Sequence, residues 1–317
     1  MNKIKKIQAL LVVLAAAALV SLGCGSPEGV GKRGESAPSS PQVPENARVS
    51  YLGPEGTYTE EAAQFFFPEA AVFLPKAGVP EAIEALLAGE ADYAVIPQEN
   101  TLGGAVTGYV DALIAAEDVY VTGEVLLPIS QTLMGIPGAS LEDIRTVCSH
   151  AQGLAQSAAW RREHLPDAVT EEMSSTAAAA QYTASAGDKS VAAVAAPGAA
   201  KLYGLTVLAE NVQITDTNKT RFYVLSSSAS EGKHTHAAFI ADCGADRIDD
   251  LIIEIHRAGL EMETIHDRPE GSALGAYYYL IEAESEEGIT DRQLEKITAF
   301  PEVRFLGSFD VKEKIPE

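Results

Sequence analysis

Short apolar runs alternate with helix-patterned segments from Val49 to Leu225, and this alternation restricts the fold more than any other feature of the chain. Val49–Leu52, Tyr93–Ile96, Val119–Val121, Val125–Leu127, Gln131–Met134, Thr146–Cys148, Val191–Val194 and Arg221–Leu225 have the length and apolar content of buried strands. Between them, Thr57 and Glu60 have capping-box spacing ahead of a helix that runs to Phe67. Pro80–Leu87, Ala105–Ala116, Gln152–Arg162, Thr176–Ser185 and Pro197–Tyr203 also read as helices. A helix returning the chain from one strand to the next is the connection that builds a parallel sheet. The expected fold class is therefore α/β with a largely parallel sheet.

The pattern changes after Ser226. The polar run Ser227–Lys233 reads as a linker. Beyond it, His236–Ala241, Arg247–Arg257, Glu261–His266, Tyr277–Ala283, Asp291–Thr298 and Val303–Phe309 follow the order βαββαβ, a ferredoxin-like arrangement. The expected domains are 48–226 and 234–312.

The first residues belong to neither. Lys3, Lys5 and Lys6 precede the apolar run Ile7–Val20, which leads to Ser21-Leu22-Gly23-Cys24. This is the pattern of a secretory signal over residues 1–23. Its end resembles a bacterial lipobox, which implies lipidation at Cys24 and an exported lipoprotein facing the periplasm or cell exterior. Residues 24–47 are rich in Gly, Ser, Pro and Glu and read as a flexible tether. Only Cys148 and Cys243 remain as thiols, in different domains, so no disulfide framework is implied. No Cys/His spacing suggests a metal site.

A formal net charge of −22 argues against nucleic acid or an anionic membrane surface as partner. Membrane contact is expected only through the lipid anchor. An anionic small molecule would need local donors against the general field.

Four polar clusters each lie between a strand end and a helix start: Gly53–Thr57, Pro97–Gly104, Ser149–Gln152 and Ser174–Thr176. In α/β sheets the ligand crevice lies outside the carboxyl ends of the strands, and free N–H groups at helix starts bind anions. Taken singly, each cluster is a helix cap. Taken together they propose Thr57, Glu99, Asn100, Thr101, Ser149, His150, Gln152, Ser175 and Thr176 as binding residues. The stretch Thr217–Phe222 adds Asn218, a hydroxyl at Thr220, a fixed cation at Arg221 and a ring at Phe222. Arg221 is expected to hold a carboxylate and Thr220 to offer a hydrogen bond.

From Val49 to Leu225 the chain resembles prephenate dehydratases and the closely similar arogenate dehydratases. Tyr51–Thr59 is similar to the family's opening motif, with Thr59 where Ser is usual. Ile96–Thr101 resembles Pro-Ile-Glu-Asn-Ser, with Gln98 for Ile, and Leu102-Gly103-Gly104 follows it. Ser149–Gln152 resembles Ser-His-Pro-Gln, and Ser175-Thr176-Ala177 the helix-opening motif. Asn218–Phe222 matches Asn-x-Thr-Arg-Phe in full. Gln131 stands where the family usually has His, and Ile214 where Asp often stands.

The resemblance implies a two-lobed fold like that of type II periplasmic binding proteins, with the site between the lobes. It implies decarboxylating dehydration of prephenate to phenylpyruvate without cofactor or metal, with Thr220 as the essential hydroxyl. Losing carbon dioxide and hydroxide together restores aromaticity, so the reaction needs no redox group. An enzyme must hold the dianion and stabilise the departing hydroxide.

The second domain resembles an ACT regulatory domain. Thr264–Pro269 is similar to its Glu-Ser-Arg-Pro region, with His266 and Asp267 replacing Glu and Ser. Gly244-Ala245-Asp246 stands where Gly-Ala-Leu is usual, and Phe305–Phe309 matches the closing strand. This implies an L-phenylalanine site at Gly244, Ala245, Asp267, Arg268 and Pro269, and a homodimer or homotetramer. Three other readings remain open at this stage: an arogenate dehydratase, a transporter's solute-binding lipoprotein, and an aromatic amino acid sensor without catalysis.

Overall fold

A computed structural model describes residues 46–67 and 72–315. The signal segment, Cys24 and most of the tether lie outside the described residues. Among the described residues no helix is long and apolar enough to cross a membrane.

Residues 48–226 form two α/β lobes, each around its own sheet. The first sheet has seven strands. In spatial order they are Val311–Glu313, Tyr120–Pro128, Lys219–Ser226, Tyr93–Asn100, Arg48–Leu52 and Val72–Lys76, with Gly104–Ala105 hooked onto Tyr93–Asn100. The second has five, in the order Thr206–Ala209, Thr132–Gly135, Val191–Ala195, Thr146–Ser149 and Val169–Glu172.

The expectation of a largely parallel sheet holds only in part. Lys219–Ser226 runs antiparallel to both its neighbours, and Thr132–Gly135 antiparallel to Val191–Ala195. The reason is connectivity. The chain leaves the first sheet at Pro128, enters the second at Thr132, and returns along 210–218 into Lys219, so the returning strand arrives from the far lobe. The strands Val72–Lys76, Val169–Glu172 and Thr206–Ala209 were not legible in the sequence. They are sheet edges with exposed or half-exposed side chains, and an edge needs no apolar alternation. Val119–Val121 and Val125–Leu127, expected as two strands, are one continuous strand through Gly123. The helix expected over Gln152–Arg162 is two, Ala151–Gln156 and Ala158–His164, broken at Ser157.

The C-terminal segment has the βαββαβ order read from the sequence. Its sheet runs Glu261–Pro269, Ala276–Glu284, His236–Gly244, Val303–Phe309. One face of that sheet packs under the helices Ile248–Arg257 and Asp291–Thr298, through Phe239, Ile281, Leu251, Ile255 and Ile297. The other face lies on the first lobe. Ala238, Ile240, Leu280, Leu306 and Phe309 join Tyr109, Leu113, Tyr223 and Leu225 in one core. Gly307 permits this approach: its φ is 138°, and a Cβ there would stand 2.2 Å from the Val121 carbonyl oxygen. Arg304 donates to the Leu113 and Ala116 carbonyls, each at 2.7 Å, and so caps the end of the first-lobe helix Thr107–Ala115.

The tail then returns to the first lobe. Val311–Glu313 adds a parallel edge strand beside Tyr120–Pro128. Glu313 pairs with Lys219 at 2.6 Å and Lys314 with Glu61 at 2.7 Å. A three-residue strand carries no readable period, so the sequence pattern could not reveal it.

Candidate active site at the lobe crossing

The second crossing between the lobes ends at Asn218, and the strand that follows lies beside the end of Tyr93–Asn100. Register places Thr220 opposite Asn100. Asn100 is buried and is the hub of the site. Its Oδ1 accepts from the Leu102 and Gly103 backbone N–H groups, at 3.1 and 3.0 Å, and from Gln152 Nε2 at 2.8 Å. The two backbone donors settle which end of the amide is oxygen. Its Nδ2 therefore donates to Asn218 Oδ1 at 2.9 Å, Thr220 Oγ1 at 2.9 Å and the Lys219 carbonyl at 3.1 Å.

Gln152 comes from the second lobe, so this one amide ties both lobes and the crossing segment. Gly103 makes the contact feasible: a Cβ there would meet Gln152 Nε2 at 2.5 Å. Thr101 closes the near side. It donates from Oγ1 to the Lys219 carbonyl at 3.0 Å and accepts from the Lys219 N–H at 3.1 Å.

Two donors of this cluster are not used within the protein among the described residues. Thr220 Oγ1 accepts from Asn100, which leaves its own proton free to point at a ligand. Asn218 is buried, and its Nδ2 has no acceptor among the described residues. A buried amide donor without a partner costs about 1–3 kcal/mol unless a ligand supplies the acceptor.

The other side of the same strand is ionic. Arg221, next to Thr220, makes a two-pronged pair with Glu124, Nε to Oε1 and Nη2 to Oε2, both at 2.8 Å. Its Nη2 also lies 2.7 Å from Glu282 and 3.4 Å from Glu263, both of the C-terminal segment. Glu282 has no exposed surface and accepts as well from Thr264 Oγ1 at 3.0 Å, from Gln98 Nε2 and from Tyr223 Oη. Burial disfavours the Arg221 charge, but Glu282, Glu124 and Glu263 more than compensate and raise its pKa. Burial likewise pushes Glu124 up to about 8, against the pull of Arg221, and raises Glu282. One guanidinium thus faces three carboxylates, two of them buried.

The prephenate dehydratase family profile matches residues 49–230, which hold both faces of this strand and the whole lobe crossing. The chain belongs to the prephenate dehydratase family. A bifunctional chorismate mutase/prephenate dehydratase of Neisseria gonorrhoeae is 35% identical over 239 residues, covering 74% of this chain and 66% of its own length. A prephenate dehydratase of Amycolatopsis methanolica is 34% identical, covering 83% of this chain and 88% of its own. Among solved structures, prephenate dehydratase from Arthrobacter aurescens in complex with L-Phe has a TM-score of 0.75 at 32% identity, covering 83% of this chain and 90% of its own. GqqA, described as a quorum-quenching acylase, has a TM-score of 0.74 at 25% identity, covering 84% of this chain and 98% of its own.

The family's motifs separate on the structure into residues that meet at the crossing and residues that do not. Asn100, Thr101, Gln152, Asn218 and Thr220 meet. Arg221 does not: the expectation that it holds a substrate carboxylate is corrected, because consecutive strand residues point to opposite faces and its face is covered by the C-terminal segment. Glu99 shares that side. Its charge acts on Tyr109, His266 and Glu282, not on the crossing. Phe222 is buried in the core with Val49, Tyr51, Val95 and Leu127 and offers no surface to a ligand.

The helix starts behave as caps. Thr57 Oγ1 accepts from the Glu60 N–H at 3.3 Å, Ser175 Oγ from the Ala178 N–H at 2.9 Å, and His150 Nδ1 from the Gln152 N–H at 3.4 Å. Ser149 is fully buried and donates to the Val194 carbonyl at 2.6 Å. Thr176 opens its helix beside Gly153. The Thr57 loop abuts the second lobe elsewhere, with Tyr203 Oη donating to the Glu55 carbonyl at 2.6 Å.

The proposed effector residues share one end of the C-terminal sheet. Gly244 lies opposite Ala276 and Pro269 opposite Tyr277, so the two segments flank the same strand. The Ala245 N–H donates to the Gly275 carbonyl at 3.1 Å, and Asp267 and Pro269 are exposed. Arg268 faces away from them. It forms a two-pronged pair with Asp111 of the first lobe, at 2.6 and 2.8 Å, which removes it from an effector site on the exposed side.

Reading by motif missed Glu124, Glu282 and Gln98. A signal existed for two of them. Glu124 and Glu282 are lone carboxylates inside apolar strand runs, and a charge at an inward position needs a partner.

Proposed function

We propose that the chain catalyses the decarboxylating dehydration of prephenate to phenylpyruvate at the lobe crossing. The observation that carries this is the pair of hydrogen bonds that Asn100 donates to Thr220 and Asn218, joining the Asn-x-Thr-Arg-Phe motif to the Glu99-Asn100 strand end. In the reaction the electron pair of the ring–carboxylate bond becomes ring π density. The ring C–O bond breaks with its pair and the hydroxide leaves. Thr220, polarised by the Asn100 N–H, donates its hydrogen bond to that hydroxide as charge grows on it. A threonine hydroxyl is too weak an acid to transfer its proton outright, so stabilisation by a positioned hydrogen bond is its role. Asn218 Nδ2 supplies a neutral donor for a substrate carboxylate. The test is direct: the purified chain is incubated with prephenate and phenylpyruvate is followed. Formation supports the reading; no product at any enzyme concentration overturns it.

Arogenate carries an amino group in place of the keto group, and relative rates on the two substrates decide the preference. The fold order and the flanked sheet end support an ACT-type regulatory role for the C-terminal segment with L-phenylalanine as effector. Titration of turnover with L-phenylalanine checks it, and inhibition is the expected result. The lipobox-like sequence supports export and anchoring at Cys24. Cys24→Ala is expected to release the protein from the membrane fraction.

A further inference from the structure

The strand carrying Thr220 and the strand carrying Asn100 are held from behind by a single side chain, and that side chain belongs to the C-terminal segment. Glu282 reaches Arg221, the residue after Thr220, at 2.7 Å. Through its other oxygen it accepts from Gln98, two residues before Asn100, and from Tyr223, three residues after Thr220. Thr264 at 3.0 Å fixes the carboxylate from within its own sheet. It thus grips both strands within three residues of the Asn100–Thr220 hydrogen bond, through a carboxylate that is itself fully buried.

We propose that Glu282 is a positioning residue for Thr220: the C-terminal segment sets the alignment of the catalytic hydroxyl through the Glu282–Arg221–Gln98 contacts. This rests on the dehydratase reading above. Three further observations support it. A simple adhesive contact would use apolar groups, and this interface already has them in Leu280, Leu306 and Phe309. A buried carboxylate amid that apolar surface is expensive to keep, yet here it is directed at the two catalytic strands. Gln98 is one of the positions at which the chain departs from the family's motif, and its amide reaches Glu282, so the departure is matched by an acceptor on the other domain.

The geometry also supplies a route. The strand Ala276–Glu284 begins beside Gly244 and Ala245 and carries Glu282 six residues on, about 20 Å away along an extended strand. A shift at the strand's start, where an effector is proposed to bind, is delivered at its far end to Arg221 and so to Thr220.

The test compares wild type with Glu282→Gln and Glu282→Asp in the full chain. Glu282→Gln keeps the size and one acceptor but removes the charge that orients Arg221. Steady-state turnover on prephenate, folded fraction by near-UV circular dichroism, and hydrogen exchange of residues 96–101 and 218–225 are measured together. The expected result for Glu282→Gln is a kcat lowered about 10-fold per folded molecule with KM within about 2-fold, and Glu282→Asp in between, the pattern of a misplaced catalytic group. Exchange is expected to quicken in those two segments and not in Thr146–Ser149 of the second lobe. A kcat per folded molecule equal to wild type, with or without a lower folded fraction, overturns the proposal, since a merely adhesive Glu282 would behave so. If wild type itself makes no phenylpyruvate, the dehydratase reading fails. The exchange measurement then still decides the positioning claim, and unchanged exchange in both segments overturns it.

Discussion

The two faces of the strand Lys219–Ser226 are built from opposite chemistry. One carries Thr220 into a network of amides and hydroxyls with no charge in it: Asn100, Asn218, Gln152 and Thr101. The other carries Arg221 into a buried cluster of Glu124, Glu282 and Glu263. The two residues are consecutive in sequence. Among the described residues the neutral face is satisfied except at Asn218 Nδ2 and Thr220's own proton, the two donors on which the proposed site rests. The ionic face is closed by the C-terminal segment and has no ligand surface to offer. In a chain of net charge −22, the cation of the family's motif is spent on carboxylates of the first lobe and of the C-terminal segment.

The strongest test of this division removes one face at a time. Thr220→Ala is expected to lower kcat by about 10²–10³-fold with KM changed by less than about 3-fold, because it deletes the donor to the leaving hydroxide, while Asn100 Nδ2 loses one acceptor and keeps Asn218 Oδ1 and the Lys219 carbonyl. Steady-state kinetics on prephenate measure it, and an unchanged kcat breaks the assignment of the neutral face. Arg221→Leu is expected to act on stability instead. It leaves Glu124 and Glu282 buried without their partner, at a cost of about 3–5 kcal/mol. Denaturant unfolding measures this. A raised KM with unchanged stability would restore Arg221 to the substrate.

A subtler test uses pH. Glu124 is raised to about 8 by burial, so the folded state binds a proton that the unfolded state releases at ordinary carboxylate values. Stability from this group is fully present in acid and is lost as pH rises toward about 8. Glu124→Gln is expected to flatten the decline in melting temperature between about pH 5 and pH 8, while Glu282, also raised, keeps a residual slope. A wild-type melting temperature that climbs over that range would contradict the assignment. The smallest effect is expected at the junction of the lobes. In Gly103→Ala the new methyl meets the far end of Gln152, a flexible side chain that can yield. A loss of about 1 kcal/mol, with kcat a few-fold lower, is expected from the weakened Asn100–Gln152 bond, read by the same assays.

Legibility from sequence divides along similar lines. Buried strands such as Tyr93–Ile96 and capped helices such as Asp291–Thr298 were readable because burial imposes period and caps impose residue type. The edge strands Val169–Glu172 and Val311–Glu313 were not, since neither burial nor length constrains them. Asn100 and Gln152 were found in polar clusters between strand ends and helix starts, and Asn218 and Thr220 in the Thr217–Phe222 stretch that opens a strand. Arg221 was misassigned because its nearness to Thr220 in sequence was read as nearness in function. Strand alternation already said that the two side chains diverge.

By itself, the sequence determined the α/β alternation, the switch to βαββαβ after Ser226, and which polar residues stand at strand ends and helix starts. These are local properties, written in periodicity and capping chemistry. Only the tertiary structure decided which face of Lys219–Ser226 carries the Asn100 network and which lies against the C-terminal segment. That choice depends on where the second lobe returns the chain and where the C-terminal sheet lies down, and both are contacts between residues far apart in sequence, such as Gln98 with Glu282 and Asn100 with Gln152.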